Sequence, residues 1–242
     1  MITELRSLWK KAFGDTEAFM DDFFMIAYDK SRCRFIRQDG KTVCALYWFD
    51  VDCDCKKMAY LYGVATDPDY RGQGLASYLI EKTCKELLDK NYSGVILVPG
   101  QHRLFEFYKR LGFYPCTALD ELVCEPEGHV LLRPAGRDEY ALLRRQLLPY
   151  RGVEQEGAFL ELLESQYGLF AGDGFLFCAA VNGDKAFIPE FLGDQSKLPG
   201  AVGALGVKTA QVRTPGNNRL FAMYRPLDET APPPLYFGLA MD

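Results

Sequence analysis

The stretch Val64-Ala65-Thr66-Asp67-Pro68-Asp69-Tyr70-Arg71-Gly72-Gln73-Gly74-Leu75-Ala76 constrains this chain more than any other. Ahead of it, Ala59 to Val64 reads as a strand. Behind it, Leu75 to Asp89 reads as a helix, with Leu75, Leu79, Ile80, Cys84, Leu87 and Leu88 spaced for one apolar face. A strand therefore feeds a glycine-rich turn that opens a helix. The first N–H groups of a helix have no intrahelical partner, and the helix dipole adds partial positive charge at that end. Gly72 and Gly74 carry no Cβ, so an anion can approach the main chain closely, and Arg71 adds a charge suited to phosphate oxygens. The pattern predicts a diphosphate cradle.

Taken alone, Gly-x-Gly also suits an ordinary strand-to-helix turn with no ligand. Two other phosphate loops are excluded directly. The dinucleotide fingerprint fails because Ser77 stands where its third glycine or alanine belongs, and the nucleoside-triphosphate loop fails because no lysine follows Gly74.

Composition narrows the classes. At 242 residues two domains of ordinary size are expected, and 48% hydrophobic with 25% charged residues is the balance of a globular protein. A net charge of −5 and the lack of any basic run argue against a nucleic-acid surface, while an acidic surface suits a cationic acceptor such as an amine. No apolar run reaches the ~18 residues of a membrane span, and the first residues lack a secretory apolar core. The eight cysteines are scattered through apolar patterns. Cys53-Asp54-Cys55 has one intervening residue rather than two, so a zinc site is not expected and no metal is assigned. A reduced, cytoplasmic protein follows, free of membrane and nucleic acid and compatible with a homo-oligomer.

Residues 3–13 and 16–28 read as two helices broken at Gly14, each with an aromatic stripe more suited to a core than to a ligand. Arg34 to Arg37 and Thr42 to Val51 flank the turn dipeptide Asp39-Gly40 and read as a hairpin. A turn over Cys53 to Lys57 leads into the strand before the cradle, and Val95 to Val98 is a short buried strand. Arg103 to Leu111 reads as a helix closed by Gly112.

Two motifs now stand in order. Arg71 to Ala76 has the form [RQ]-x-x-G-x-[GA] behind Val-Ala-Thr-Asp-Pro, and Phe107-Tyr108-Lys109-Arg110-Leu111-Gly112-Phe113 has the form F-Y-x-x-x-G-F. Together they resemble the GCN5-related N-acetyltransferases (GNAT superfamily). The resemblance implies an α/β (α+β) fold, a mixed and mostly antiparallel sheet flanked by helices. It implies acetyl-CoA as co-substrate, its diphosphate held by Arg71, Gly72, Gln73, Gly74, Leu75 and Ala76, and its pantetheine arm held by the backbone of Val64, Ala65 and Thr66. It implies Tyr108 as the acid that protonates the leaving thiolate, and an amine of a small molecule or peptide as acceptor. Where family members with a dedicated glutamate carry it, this chain offers Met58, Tyr60 and Tyr62 and no carboxylate. The missing carboxylate leaves a second reading open, a non-catalytic acyl-CoA-binding or protein-interaction module. The family usually opens with a strand; here the helical pattern starts by about residue 3, so that strand is missing or something elsewhere replaces it.

Glu125 to Gly128 marks the expected boundary, giving an acetyl-CoA-binding domain over 1–126 and a second over 127–242. In the second, His129 to Pro134 reads as a strand, Asp138 to Leu148 and Gly157 to Tyr167 as helices, and Phe175 to Val181 with Lys185 to Leu192 as a hairpin. Ser196 to Gly206 reads as a weak helix; Thr209 to Arg213, Leu220 to Tyr224 and Leu235 to Ala240 read as strands. The order echoes the first half without its glycine loop, so a tandem with a degenerate second half is expected. Packed together, the halves are expected to wall an acceptor cleft, with Glu190 and Asp242 as carboxylates that the second half could bring to it.

Overall fold

The computed structural model describes residues 1–228 and 231–241. The chain begins with α1 (Ile2–Phe13) and α2 (Glu17–Asp22), which runs on into a π turn over Phe23–Ala27. Thr16 caps α2 by accepting the Phe19 N–H at 3.2 Å. There follow β1 (Cys33–Gln38), β2 (Lys41–Cys53), β3 (Lys56–Thr66), α3 (Leu75–Asp89), β4 (Gly94–Leu97), α4 (Arg103–Lys109) and β5 (Tyr114–Pro115). The second half contains β6 (Ala118–Cys124), β7 (Arg133–Pro134), α5 (Arg137–Leu147), α6 (Ala158–Gln166), β8 (Gly168–Gly172), β9 (Phe175–Asn182) and β10 (Lys185–Gly193). It closes with α7 (Leu198–Ala204), β11 (Thr209–Pro215), β12 (Arg219–Leu220) and β13 (Met223–Pro226).

These elements form two compact units, Met1–Tyr114 with Met223–Pro233, and Pro115–Ala222 with the segment from Pro234. The first unit holds a sheet in the order β1-β2-β3-β4-β13-β5, and the second a sheet in the order β12-β6-β11-β10-β9-β8-β7. In each, one parallel pair (β3 with β4, β10 with β11) sits among antiparallel neighbours, the mixed sheet expected from the sequence. The units do not divide at 126/127. Residues 118–124 pair with β11 in the second sheet, and residues 223–226 pair with β4 in the first. Each half thus supplies the strand beside the other's parallel pair.

In the first unit, side-chain alternation along β2 and β3 sorts two cores. Leu46, Trp48, Ala59 and Leu61 pack with Leu79, Ile80, Cys84 and Leu87 of α3, and with Tyr108 and Met223. On the other face Tyr47 and Tyr62 meet Trp9 and Phe23, whose ring centroids lie 4.4 Å apart. All eight cysteines are free thiols, six of them buried as small apolar groups. Among the described residues no helix is long and apolar enough to cross a membrane.

Three expected strands differ. His129 to Pro134 is extended in sequence character, but only Arg133 and Pro134 find a partner, and Leu131 is 93% exposed. Leu220 to Tyr224 is divided, because Leu220 pairs with β6 while Met223 and Tyr224 pair with β4. Leu235 to Ala240 is not a strand. Its backbone bonds go to the loop at 151–153, leaving one isolated bridge between Gly152 and Tyr236. The strands β5, β6 and β8 had no expected counterpart.

Candidate functional site: the β3–α3 junction

Strand β3 is paired along one edge with β2 as far as Thr66 opposite Cys44. Along its other edge it is paired with β4 only from Met58 opposite Gly94 to Tyr60 opposite Ile96. On that second edge Leu61 to Thr66 therefore runs on with no strand beside it among the described residues. A bulge falls within that run: Ala65 faces Ala45 and Tyr62 faces Tyr47, so Gly63 and Val64 together oppose Leu46. Gly63 has φ +58°, and a Cβ there would lie 2.7 Å from the Trp9 ring, so only glycine fits. The bulge leaves Gly63 and Val64 outside the regular ladder with β2.

The chain then turns on Asp67. Its N–H donates to the Val43 carbonyl at 2.9 Å, and its carboxylate accepts the Asp69 N–H at 3.2 Å, which caps a short 3-10 turn over Pro68–Tyr70. Lys11 of α1 donates to the same carboxylate at 2.8 Å and holds its pKa below the usual carboxylate range. Arg71 folds back, its Nε donating to the Thr66 carbonyl at 3.3 Å. Gly72 and Gly74 have φ of +79° and +76°, and a Cβ at either would meet nothing within 4 Å. Backbone conformation requires glycine there, and the space beside both is open. Gly74 is the N-cap of α3 without a side-chain cap, and the first helical bond is Tyr78 N–H to the Gly74 carbonyl at 2.9 Å. The N–H groups of Leu75, Ala76 and Ser77 precede that bond and carry the positive end of a 15-residue helix.

Tyr108 lies in the last turn of α4, buried, with its ring edge-on to Phe107 at 5.0 Å and Phe113 at 5.8 Å. Burial pushes its hydroxyl well above the usual phenol range, so it stays protonated at neutral pH. It shares one apolar cluster with Leu61, Val64, Leu75 and Ala76. The strand edge, the turn and the tyrosine are thus brought together in one unit. Of the other sequence-derived residues, Ala65 is buried and offers only its backbone, Thr66 contacts Cys44 through its hydroxyl at 3.5 Å, and Gln73 is exposed.

Residues 1–116 match the family model described as an acetyltransferase (GNAT) domain. This chain thus carries a GNAT domain over just under half of its length. It is 32% identical to the bovine thialysine N-epsilon-acetyltransferase over 95 residues, 38% of this chain and 56% of that one. The match thus spans just over half the length of that relative. Its fold is similar to a GCN5-related N-acetyltransferase of Kribbella flavida, with TM-score 0.71 at 18% identity over 94% of this chain and 71% of that one. It is also similar to a tandem GNAT protein from the clavulanic acid biosynthesis pathway, with TM-score 0.60 at 11% identity over 95% of this chain and 96% of that one.

The GNAT architecture of the second unit lacks three things that the first has. Its strand β10 is bulged at the corresponding place, because Glu190 faces Cys178 and Phe187 faces Ala180, but the bulge contains Pro189, which has no N–H. The link from Gly193 to α7 is only Asp194 to Lys197. Its Ser196 N–H is already taken by the Asp194 side chain at 3.0 Å, and Pro199 removes another donor from the first turn. Finally, β11 leads directly to β12, so no helix corresponds to α4 and its tyrosine.

Glu190 is not the free carboxylate expected from the sequence. Met58, Tyr60 and Tyr62 are all buried, the tyrosines within the aromatic cluster. Glu190 is fully buried and held by Arg144 through two bonds of 2.7 and 2.9 Å, with the Tyr236 hydroxyl donating at 3.0 Å. A carboxylate with its charge matched inside the second unit's core is a structural ion-pair member, not a free base. Asp242 lies outside the described residues. Sequence reasoning missed the Gly63 bulge and the Lys11–Asp67 pair; the Asp67-Pro68 dipeptide, a turn-capping signal, was the cue to the second.

Proposed function

We propose that the first unit binds acetyl-CoA and transfers its acetyl group to a primary amine of a small molecule or peptide. The observation that carries this is the β3–α3 junction: an unpaired, bulged strand edge runs straight into an open glycine turn at a helix N-terminus. The N–H groups of 72–77 and the Arg71 guanidinium suit a diphosphate. The free edge of 64–66 suits an extended amide-bearing arm, and its N–H groups are placed to polarise a thioester carbonyl. Acetyl-CoA supplies the activated acyl group.

The amine nitrogen attacks the carbonyl carbon, the C–S bond breaks, and Tyr108 gives its proton to the departing sulfur. The amine proton leaves through solvent, in keeping with the lack of a carboxylate on Met58 to Tyr62. Burial keeps the phenol protonated but makes it a weaker acid, so the transfer relies on the same closed site raising the basicity of the departing thiolate. The bovine relative, a thialysine N-epsilon-acetyltransferase, supports an amine acceptor. The second unit, with no donor set of its own, is assigned a supporting role. The eight free thiols fit a reducing, cytoplasmic setting.

The test is free-thiol release from acetyl-CoA by the full chain across a panel of amines. Acceptor-dependent release is expected. Tight acetyl-CoA binding with no release for any amine would favour an acyl-CoA-binding module instead.

A further inference from the structure

Arg225 stands on β13 opposite Val95, in the part of the first unit that the chain reaches only after crossing the second. Its guanidinium grips Glu81 of α3 through both carboxylate oxygens, at 2.7 and 3.0 Å. The same guanidinium donates to the Leu111 carbonyl at 2.8 Å. Leu111 belongs to the turn that ends α4: its N–H donates to the Tyr108 carbonyl at 2.9 Å, and so does that of Phe113 at 3.1 Å. One side chain therefore spans the helix that begins at the glycine turn and the turn that ends the tyrosine helix. A bidentate carboxylate pair fixes both distance and orientation, which a single long-chain ammonium would not do. The Leu111 carbonyl lies at the negative end of α4, where a cation is favoured.

We infer that Arg225 is a positioning residue for the acetyl transfer. It sets the Tyr108 hydroxyl relative to the α3 N-terminus, and with it the alignment of the acid and the bound thioester. The inference rests on the function proposed above. It predicts a loss in turnover rather than in binding, because Arg225 grips α3 at Glu81, near the middle of the helix and about 9 Å along its axis from Leu75, and not at the glycine turn itself.

The test compares Arg225→Gln, Arg225→Lys and Glu81→Gln with the wild-type full chain, measuring kcat, KM, acetyl-CoA affinity by calorimetry, and thermal melting. Misplacement of a reacting group by about 1 Å costs on the order of a hundred-fold, so kcat of Arg225→Gln should fall about ten- to a hundred-fold with acetyl-CoA affinity nearly unchanged. Arg225→Lys can reach one partner at a time and should restore part of the loss; Glu81→Gln, which keeps the Leu111 bond, should lose less than Arg225→Gln. Should Arg225→Gln fail to fold, the comparison of the lysine variant with Glu81→Gln decides. Unchanged kcat in these variants, or affinity and kcat falling together with the folded fraction, overturns the role of Arg225. A wild-type chain that binds acetyl-CoA and acetylates nothing overturns the proposed reaction itself.

Discussion

Lys11 and Asp67 meet across 56 positions of sequence, Nζ to Oδ2 at 2.8 Å, and so fasten the last turn of α1 to the residue that caps the turn before the glycine loop. The hydrogen bond from Lys11 holds the Asp67 carboxyl below its ordinary range and, reciprocally, Asp67 holds the lysine above its own. A depressed carboxylate contributes stability above its unfolded pKa and loses it as pH falls through the folded value. A raised lysine contributes below its unfolded pKa and loses it as pH rises through the folded value. The pair is therefore intact between about pH 4 and pH 10. The difference in melting temperature between wild type and Asp67→Asn should be present at pH 7 and close as pH falls below 4. A gap that persists at pH 2 would mean that Asp67 acts through something other than its charge.

Acetyl-CoA affinity should depend on the glycine turn. Arg71→Ala removes a charge-assisted contact worth about 1.5–3 kcal/mol, so affinity should fall ten-fold or more. Combined with Gly74→Asp, which adds repulsion and a side chain at φ +76°, binding should vanish in calorimetry. Retained micromolar affinity in the double variant would remove the turn from the binding site.

Tyr108→Phe keeps the ring contacts with Phe107 and Phe113 and deletes only the hydroxyl. General acid–base help is worth ~10²–10⁴-fold, so kcat should fall by that range while acetyl-CoA affinity barely moves. An unchanged kcat with chemistry rate-limiting assigns the proton to another donor.

Glu190→Ala leaves Arg144 buried without its countercharge, a change that costs about 3–5 kcal/mol in such settings. Replacing the pair together, as Arg144→Met with Glu190→Leu, should cost much less. Thermal or urea unfolding measures these variants and Arg144→Met alone; a double-variant loss equal to the sum of the two single losses would mean that the pair is not coupled. Acetyl transfer per folded molecule should survive either change if Glu190 serves structure alone.

A fragment of residues 1–126 should not fold cooperatively. It retains β6 without β11, its partner, and lacks β13, which covers the edge of β4. Denaturation and light scattering report the outcome. A monomeric, sharply melting fragment fully active on the acceptor would show that neither exchange matters.

Much of this arrangement was legible from local signals. Asp39-Gly40 marked the first hairpin, the apolar spacing from Leu75 to Leu88 marked α3, and Arg71 to Ala76 marked the glycine turn that opens it, because each rests on contacts a few residues apart. The mate of a strand is not such a signal. Period-two alternation says that Met223–Pro226 can be a strand, and says nothing of β4, more than a hundred positions earlier. The same limit explains why the units do not divide at 126/127, and why Leu235 to Ala240, extended in character, bonds to an irregular loop instead of a sheet.

Local sequence signals alone carried the GNAT resemblance of the first half, the strand–turn–helix around Gly72 and Gly74, and the tyrosine downstream of it. The tertiary structure decided which groups are free to act. Glu190 is an acid in the sequence, but Arg144, 46 positions away, turns it into half of a buried ion pair. Gly63 is an unremarked glycine until Trp9 packs against it, and one edge of β3 is open because β4 pairs with it only as far as Tyr60. Charge state and accessibility depend on neighbours brought from elsewhere in the chain, and only the fold chooses those neighbours.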